Sequence, residues 1–338
     1  MTGQLDVIRE ANLGIIALNR PEAINALNLE MIDGITRALE QWANDEEIRL
    51  VLFEGRGPRG FCSGGDVRAV RQAVLEGKAE EADAFFAAEY RMNGIIARYP
   101  KPLVALTHGI VMGGGIGIAG HCAFRFTTSE ARFAMPEAAI GFTCDVGVNF
   151  ILSKAPVHRA LTFAMTGVPV GAADALALGL TDCAIDPARR DAVRAGIAAA
   201  ASATRIDAAL GALMQAEMAP VGEAVLCDAA DRHAGLDWTD EAVIVGTAGL
   251  EPQLAQLALR SPTSLVAIAE SHHAARRLSH IGAVLAADLR LARLLCRLPD
   301  FAEGVRAVLV DKDQKPAWRP NSLAGVDRSS IRAVVGAA

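Results

Sequence analysis

Two glycine turns and two acidic residues carry the chemistry legible in this chain. Gly64-Gly65 ends the run Phe61-Cys62-Ser63, and Gly113-Gly114-Gly115 follows an apolar segment and opens a helical one. A carbonyl oxygen gains negative charge when the carbonyl is attacked or enolised, and backbone N–H groups aimed at it stabilise that charge. Glycine suits both places, since a side chain would obstruct the backbone's approach or forbid the turn. The second turn adds the N–H groups and dipole of a helix start, which favour an anion. Each turn alone reads more readily as a tight turn with no ligand. Neither is a nucleotide cradle: the first lacks the dinucleotide fingerprint, and the second lacks a following lysine and hydroxyl residue.

The acids are Glu137, in RFAMPEAAIGF, and Asp145, eight residues further on in GFTCDVG. A carboxyl group can serve as general acid, base or nucleophile, although a loop acid taken alone is more often merely solvated. Cys144 stands beside Asp145, but a cysteine nucleophile needs an activating base or helix N-terminus, and no histidine lies nearby in sequence. His108 and His121 flank the glycine triplet in apolar surroundings and read as core histidines.

The elements that must position these residues alternate. Leu13 to Leu18 predicts a strand ended by Asn19-Arg20-Pro21, and Asn28 to Trp42 predicts an amphipathic helix with Leu29, Ile32, Ile35, Leu39 and Trp42 on one face. Arg49 to Glu54 reads as a buried strand leading to the first glycine turn, after which a helix runs towards Tyr99. Leu103 to Leu106 is a strand leading to the second turn, Phe124 to Thr128 and Ala131 to Ala134 are a strand pair, and Gly171 to Gly179 holds a short helix. This alternation predicts an α/β core over residues 1–186. Beyond about Pro187 alanine-rich segments dominate and strand signals fade, with helix starts at Ser261-Pro262 and Asp300, so residues 187–338 are expected to be mainly helical.

With 338 residues, 52% of them hydrophobic, the chain has enough apolar surface for a full core. A net charge of −6 leaves no overall positive field, which argues against nucleic acid and anionic membranes as partners. Six cysteines without paired spacing suit reduced thiols rather than a zinc site. The acidic N-terminus shows no signal or transit pattern, so the cytoplasm is the expected location. Leu103 to Gly120 is apolar but contains His108 and six glycines, and reads as buried structure, with no membrane span expected.

The turn FCSGGDVRAV, then YPKPLVALTHGIVMGGGIGIAGH, then RFAMPEAAIGF, in this order and spacing, resemble the crotonase superfamily over most of Leu13 to Ile185. The resemblance implies a spiral of ββα turns with a mainly helical C-terminal part and an acyl-CoA thioester as substrate. It implies an oxyanion hole from the N–H groups of Gly65 and Gly114, with the Ser63 carbonyl near the adenine. Arg59 matches a basic position that meets a coenzyme A phosphate, although surface solvation explains it equally well. Lys312 and Lys315 are weaker candidates for the same role.

Enoyl-CoA hydratases of the superfamily carry two catalytic glutamates. Here Gly117 stands at the first place and Glu137 at the second. Asp145, where hydratases usually have glycine, is characteristic of the 3-hydroxyisobutyryl-CoA hydrolase subgroup. LNRPEAINALNLEM, FFAAEYRMN, SPTSL and DFAEGVRAVLVDKDQKPAW extend that similarity over nearly the whole chain, and Glu89 falls where the subgroup contacts the substrate hydroxyl. The chain departs from the subgroup on both sides of Asp145, with Cys144 in place of proline and Val148 in place of a second glycine. The resemblance thus implies a hydrolase of short branched 3-hydroxyacyl-CoA, as in valine catabolism, that needs no metal and no cofactor beyond its substrate. It also implies a homo-oligomer, unless the helical C-terminal part replaces those contacts within one chain. A hydratase or isomerase using Glu137 alone, and an acyl-CoA-binding protein without turnover, are the alternatives.

Overall fold

The computed structural model describes residues 3–336. The chain divides into two compact units that interleave along the sequence: Met1–Gly65, Arg91–Phe133 and Val170–Glu223 make the first, and Asp66–Tyr90, Ala134–Pro169 and Ala224–Ala338 the second.

The first unit is built on a six-stranded sheet. Its strands are β1 (Leu5–Glu10), β2 (Leu13–Leu18), β3 (Leu50–Gly55), β5 (Leu103–Thr107), β7 (Phe124–Thr128) and β9 (Cys183–Ile185), in that spatial order. Only the β1 and β2 pair is antiparallel; the rest run parallel. Strands covered on both faces favour continuous apolar runs, as in β2 and the first four residues of β3; Glu54 of β3 is also buried, and Arg56 and Arg194 pair with it. The edge strand β1, with Asp6, Arg9 and Glu10, is partly exposed, and its charges suit a sheet margin. Its mixed pattern gave no strand signal, and neither did the three residues of β9.

One face of the sheet, with Leu13, Ile15, Leu50, Leu52, Val104, Leu106 and Phe126, forms a dry core with Val193 and Ile197 of the helix Arg190–Ala201 and Leu210 of the helix Ile206–Glu217. The alternation of these positions follows the two-residue period of a strand. Three short strands, β4 (Gly60–Cys62), β6 (Ile110–Met112) and β8 (Arg132–Ala134), make a second sheet. Each follows a strand of the large sheet, so the chain repeats two strands and then helix, the ββα turn that the resemblance implies. The short β4 and β6 carry no strand signal of their own, and β7 and β8, expected as a pair, lie in different sheets.

The second unit is helical. Between the first glycine turn and Tyr99 there are two helices rather than one, Val67–Leu75 and Ala79–Ala97, separated at Gly77 with φ +74°. Ser261 caps the helix Pro262–Ala275 by accepting from the Ser264 N–H, and proline occupies its first turn, as the sequence predicts. After Ile185 the described residues form helices and no strand.

The turn carrying Glu137 is fixed by close packing. A Cβ on Gly141 would lie 2.2 Å from the Asp300 carbonyl oxygen, and one on Gly304 would lie 2.6 Å from the Ile140 Cα. The helix Pro299–Val305 therefore sits directly on the 3-10 turn Pro136–Ile140. Phe142 stacks on Phe86 at 5.1 Å and packs against Phe301 at 5.5 Å, tying that turn to the helix Ala79–Ala97.

Candidate functional site

In the first unit the two glycine turns meet. Gly64 has φ +106°, where side chains are disfavoured, and a Cβ built on it would lie 3.4 Å from the Met112 carbonyl oxygen and 3.6 Å from the Gly114 nitrogen. The turn after β4 is held by Leu27 N–H donating to Gly64 O at 2.8 Å and Ser63 N–H donating to Ile24 O at 2.9 Å. Gly113, at φ +48°, turns the chain from β6 into the helix Gly114–Ala119. The Gly114 N–H, first in that helix, has no acceptor within it. A Cβ on Gly115 would meet the Cys62 carbonyl at 2.7 Å, so the helix and β4 are in backbone contact.

Ser63 is half-buried, its hydroxyl donating to the Ala23 carbonyl at 3.1 Å. Arg59 is exposed, and its Nη2 donates to the carbonyls of Pro21 and Glu22 at 2.5 and 2.6 Å, which ties the loop before β4 to the turn Pro21–Ala23.

The second unit gathers carboxyl groups. Glu89, Glu137, Asp145 and Asp288 are all buried. Neither Glu89 Oε1 nor Glu137 Oε2 has a hydrogen-bond partner. Asp145 is held by the Tyr90 hydroxyl, which donates to its Oδ2 at 2.5 Å. Around Asp145 the backbone is gripped twice. Asn149 Nδ2 donates to the Cys144 carbonyl at 3.3 Å, and Asp288 Oδ2 accepts from the Gly147 N–H at 2.8 Å. Sequence reasoning missed Tyr90 and Asp288; FFAAEYRMN carried the signal for Tyr90, whereas nothing local marks Asp288.

Burial disfavours the charged form of each acid. It pushes Asp145 up to about 6, an effect partly offset by the Tyr90 hydroxyl bond. Burial, and then the Asp145 charge, hold the Glu89, Glu137 and Asp288 carboxyls well above the usual carboxylate range. Among the described residues no lysine or arginine compensates any of the four. Asp145 is therefore the most readily ionised of the four, and its charge disfavours ionisation of the others. Acids buried together, with Asp145 the most readily ionised of them, suit holding and moving a proton. The Cys144 thiol is pushed well up by burial and then by Glu137 and Asp145, and its Sγ donates to the Ala164 carbonyl, so it is a poor nucleophile.

His108 is buried, with Nε2 2.8 Å from the Gly57 carbonyl oxygen, as suits a core histidine. None of the six cysteines forms a disulfide. Among the described residues no group of three His, Cys, Asp or Glu side chains is placed to hold a metal ion, and no helix is long and apolar enough to cross a membrane.

Residues 13–335 match the family model described as enoyl-CoA hydratase/isomerase. A relative from Danio rerio, named 3-hydroxyisobutyryl-CoA hydrolase, mitochondrial, is 35% identical over 94% of this chain and 85% of its own length. One from Arabidopsis thaliana, named 3-hydroxyisobutyryl-CoA hydrolase 1, is 32% identical over 97% of this chain and 90% of its own. Among solved structures, a carnitinyl-CoA dehydratase from Mycobacterium thermoresistibile superposes with a TM-score of 0.89 at 34% identity, covering 100% of this chain and 97% of that one. An enoyl-CoA hydratase from Rhodobacter sphaeroides 2.4.1 gives 0.87 at 30% identity, covering 98% and 97%.

Proposed function

The chain belongs to the enoyl-CoA hydratase/isomerase family, and within it we propose that this protein hydrolyses the thioester of a short branched 3-hydroxyacyl-CoA, of the 3-hydroxyisobutyryl-CoA kind met in valine breakdown. The observation that carries the reading is the buried pair Glu137 and Asp145 in a chain whose Gly117 removes the first glutamate of a hydratase. The names of the curated relatives support it.

In this reading the N–H groups of Gly65 and Gly114 receive the thioester oxygen, roles carried by the family pattern and by the meeting of the two glycine turns. Glu137 and Asp145 share one negative charge on this account, since burial and each other's charge oppose a second. For attack, that charge sits on Glu137 and the proton on Asp145. The Glu137 carboxylate adds to the carbonyl, the C–S bond breaks, and the departing thiolate takes the proton from Asp145. Water then opens the mixed anhydride, giving a proton to Asp145 and releasing the hydroxy acid. Glu89 reads the 3-hydroxyl, the Ser63 carbonyl meets the adenine, and Arg59 offers a nitrogen to a phosphate.

The reaction needs no metal or further cofactor. Unlinked, buried thiols suit a reducing compartment, and we assign the cytoplasm, although the animal relatives' names say mitochondrial; fractionating cells that express the tagged chain tests this. A homo-oligomer belongs to the same reading, and sedimentation measures it.

The names of the two solved structures favour a second reading, addition of water to an enoyl-CoA. One comparison separates the two: free thiol released from 3-hydroxyisobutyryl-CoA against hydration of crotonyl-CoA. Thiol release is expected to be faster, and faster hydration overturns the assignment.

A further inference from the structure

The helix Ile281–Leu295 buries Ile281, Val284, Leu285, Leu291, Ala292 and Leu295 along one stripe, and Asp288 lies in the middle of it, 1% exposed. An acid at the centre of an apolar stripe loses hydration that only a specific partner can replace. That partner is the Gly147 N–H, which donates to Asp288 Oδ2 at 2.8 Å.

Gly147 belongs to a strained turn. Val148 N–H donates to the Asp145 carbonyl at 3.0 Å, closing Asp145-Val146-Gly147-Val148 as a β-turn. Both central residues are left-handed, Val146 at φ +52° and Gly147 at φ +72°. Glycine adopts this readily, but a β-branched residue does so only when its surroundings compel it. Asp145, the first residue of this turn, has its carboxyl direction set by the same backbone.

We propose that Asp288 is a positioning residue, whose carboxyl acts through the Gly147 N–H to hold the left-handed turn that aims Asp145. This rests on the reading of Asp145 given above. Asp288 never touches the thioester in this account. What it supplies is a hydrogen-bond acceptor, and burial beside Asp145 keeps its carboxyl protonated, so a neutral isostere suffices. The C-terminal helices thereby take part in the chemistry and are more than a covering for the core.

The test compares Asp288→Asn, which keeps a carbonyl acceptor, with Asp288→Leu, which suits the apolar stripe but accepts nothing. With 3-hydroxyisobutyryl-CoA, Asp288→Leu is expected to lower kcat by about a hundredfold with KM little changed, the scale of a small misplacement of a reacting group. Asp288→Asn is expected to stay within about threefold of the parent, since it preserves the hydrogen bond to Gly147. A general packing role would also tolerate asparagine, but in Asp288→Leu it would lower overall stability and raise KM as well as lowering kcat. Hydrogen exchange over residues 143–150 reads the turn without substrate, and it should accelerate in Asp288→Leu only. Unchanged kcat in Asp288→Leu, or an equal loss in both variants, overturns the proposal. If Asp288→Leu fails to fold, Asp288→Asn decides alone: loss of kcat in the folded asparagine variant overturns the assignment, and retention supports it. If the parent releases no thiol from any acyl-CoA while Asp288→Leu still loosens the turn, the functional reading fails and the Asp288 contact stands.

Discussion

The two units present their chemistry in opposite ways. In the sheet-bearing unit the candidate groups are backbone N–H donors at Gly65 and Gly114, set by turns that only glycine permits. In the helical unit they are side-chain acids, Glu89, Glu137, Asp145 and Asp288, whose state depends on being buried together. Backbone donors carry no charge to desolvate and are fixed by local conformation. Clustered acids shift one another, so their function belongs to the group rather than to any one of them.

Removing the key member of the acid group should have the largest effect. Glu137→Gln is expected to lower kcat by about two to four powers of ten while calorimetry still detects thioester binding, because the amide keeps the shape and loses the nucleophile or base. Full activity in this variant would move the chemistry away from the helical unit. Gly114→Pro is the matching test of the backbone donors. Proline is accepted at the first position of a helix but has no N–H, so the fold should survive while kcat falls by about two to three powers of ten. Near-normal turnover would take Gly114 out of the site.

A smaller effect separates the state of Asp145 from its mere presence. The kcat/KM profile should fall as pH drops through about 6, where a proton on Asp145 removes the one negative charge that the pair shares with Glu137. The Tyr90 hydroxyl favours the charged form, so Tyr90→Phe should move this limb to higher pH and cost roughly three- to tenfold at pH 6. An unmoved limb would mean that another group sets it.

The smallest effect is on stability and touches only the acid unit. Glu89, Glu137 and Asp288 have raised folded-state values, so the unfolded chain releases protons that the folded one retains. Their contribution is complete at low pH and is lost as pH rises through the folded values. The melting temperature is therefore expected to fall as pH rises above the ordinary carboxylate range, from about pH 4.5 upwards. Glu89→Gln should flatten that fall by a few degrees, about the shift a change of 1 kcal/mol gives a domain of ordinary size. An identical slope in the variant would show that Glu89 does not share in this balance.

By itself the sequence determined the strands β2, β3, β5 and β7, the helices between them and the two glycine turns, while Glu137 and Asp145 stood out through the family resemblance. These are local properties: apolar runs such as Leu13–Leu18 mark strands, and a chain that must turn sharply next to a ligand needs glycine in that place. The edge strand Leu5–Glu10 was not legible, because its mixed polar pattern makes sense only once a sheet lies on one side of it. The state of the acids was not legible either. The chain writes Asp145 as an ordinary acid, and only the fold brings Tyr90 to it across 55 positions and Asp288 to Gly147 across 141. Burial and mutual repulsion are properties of the assembled core, and they decide which of the four carboxyl groups carries the charge.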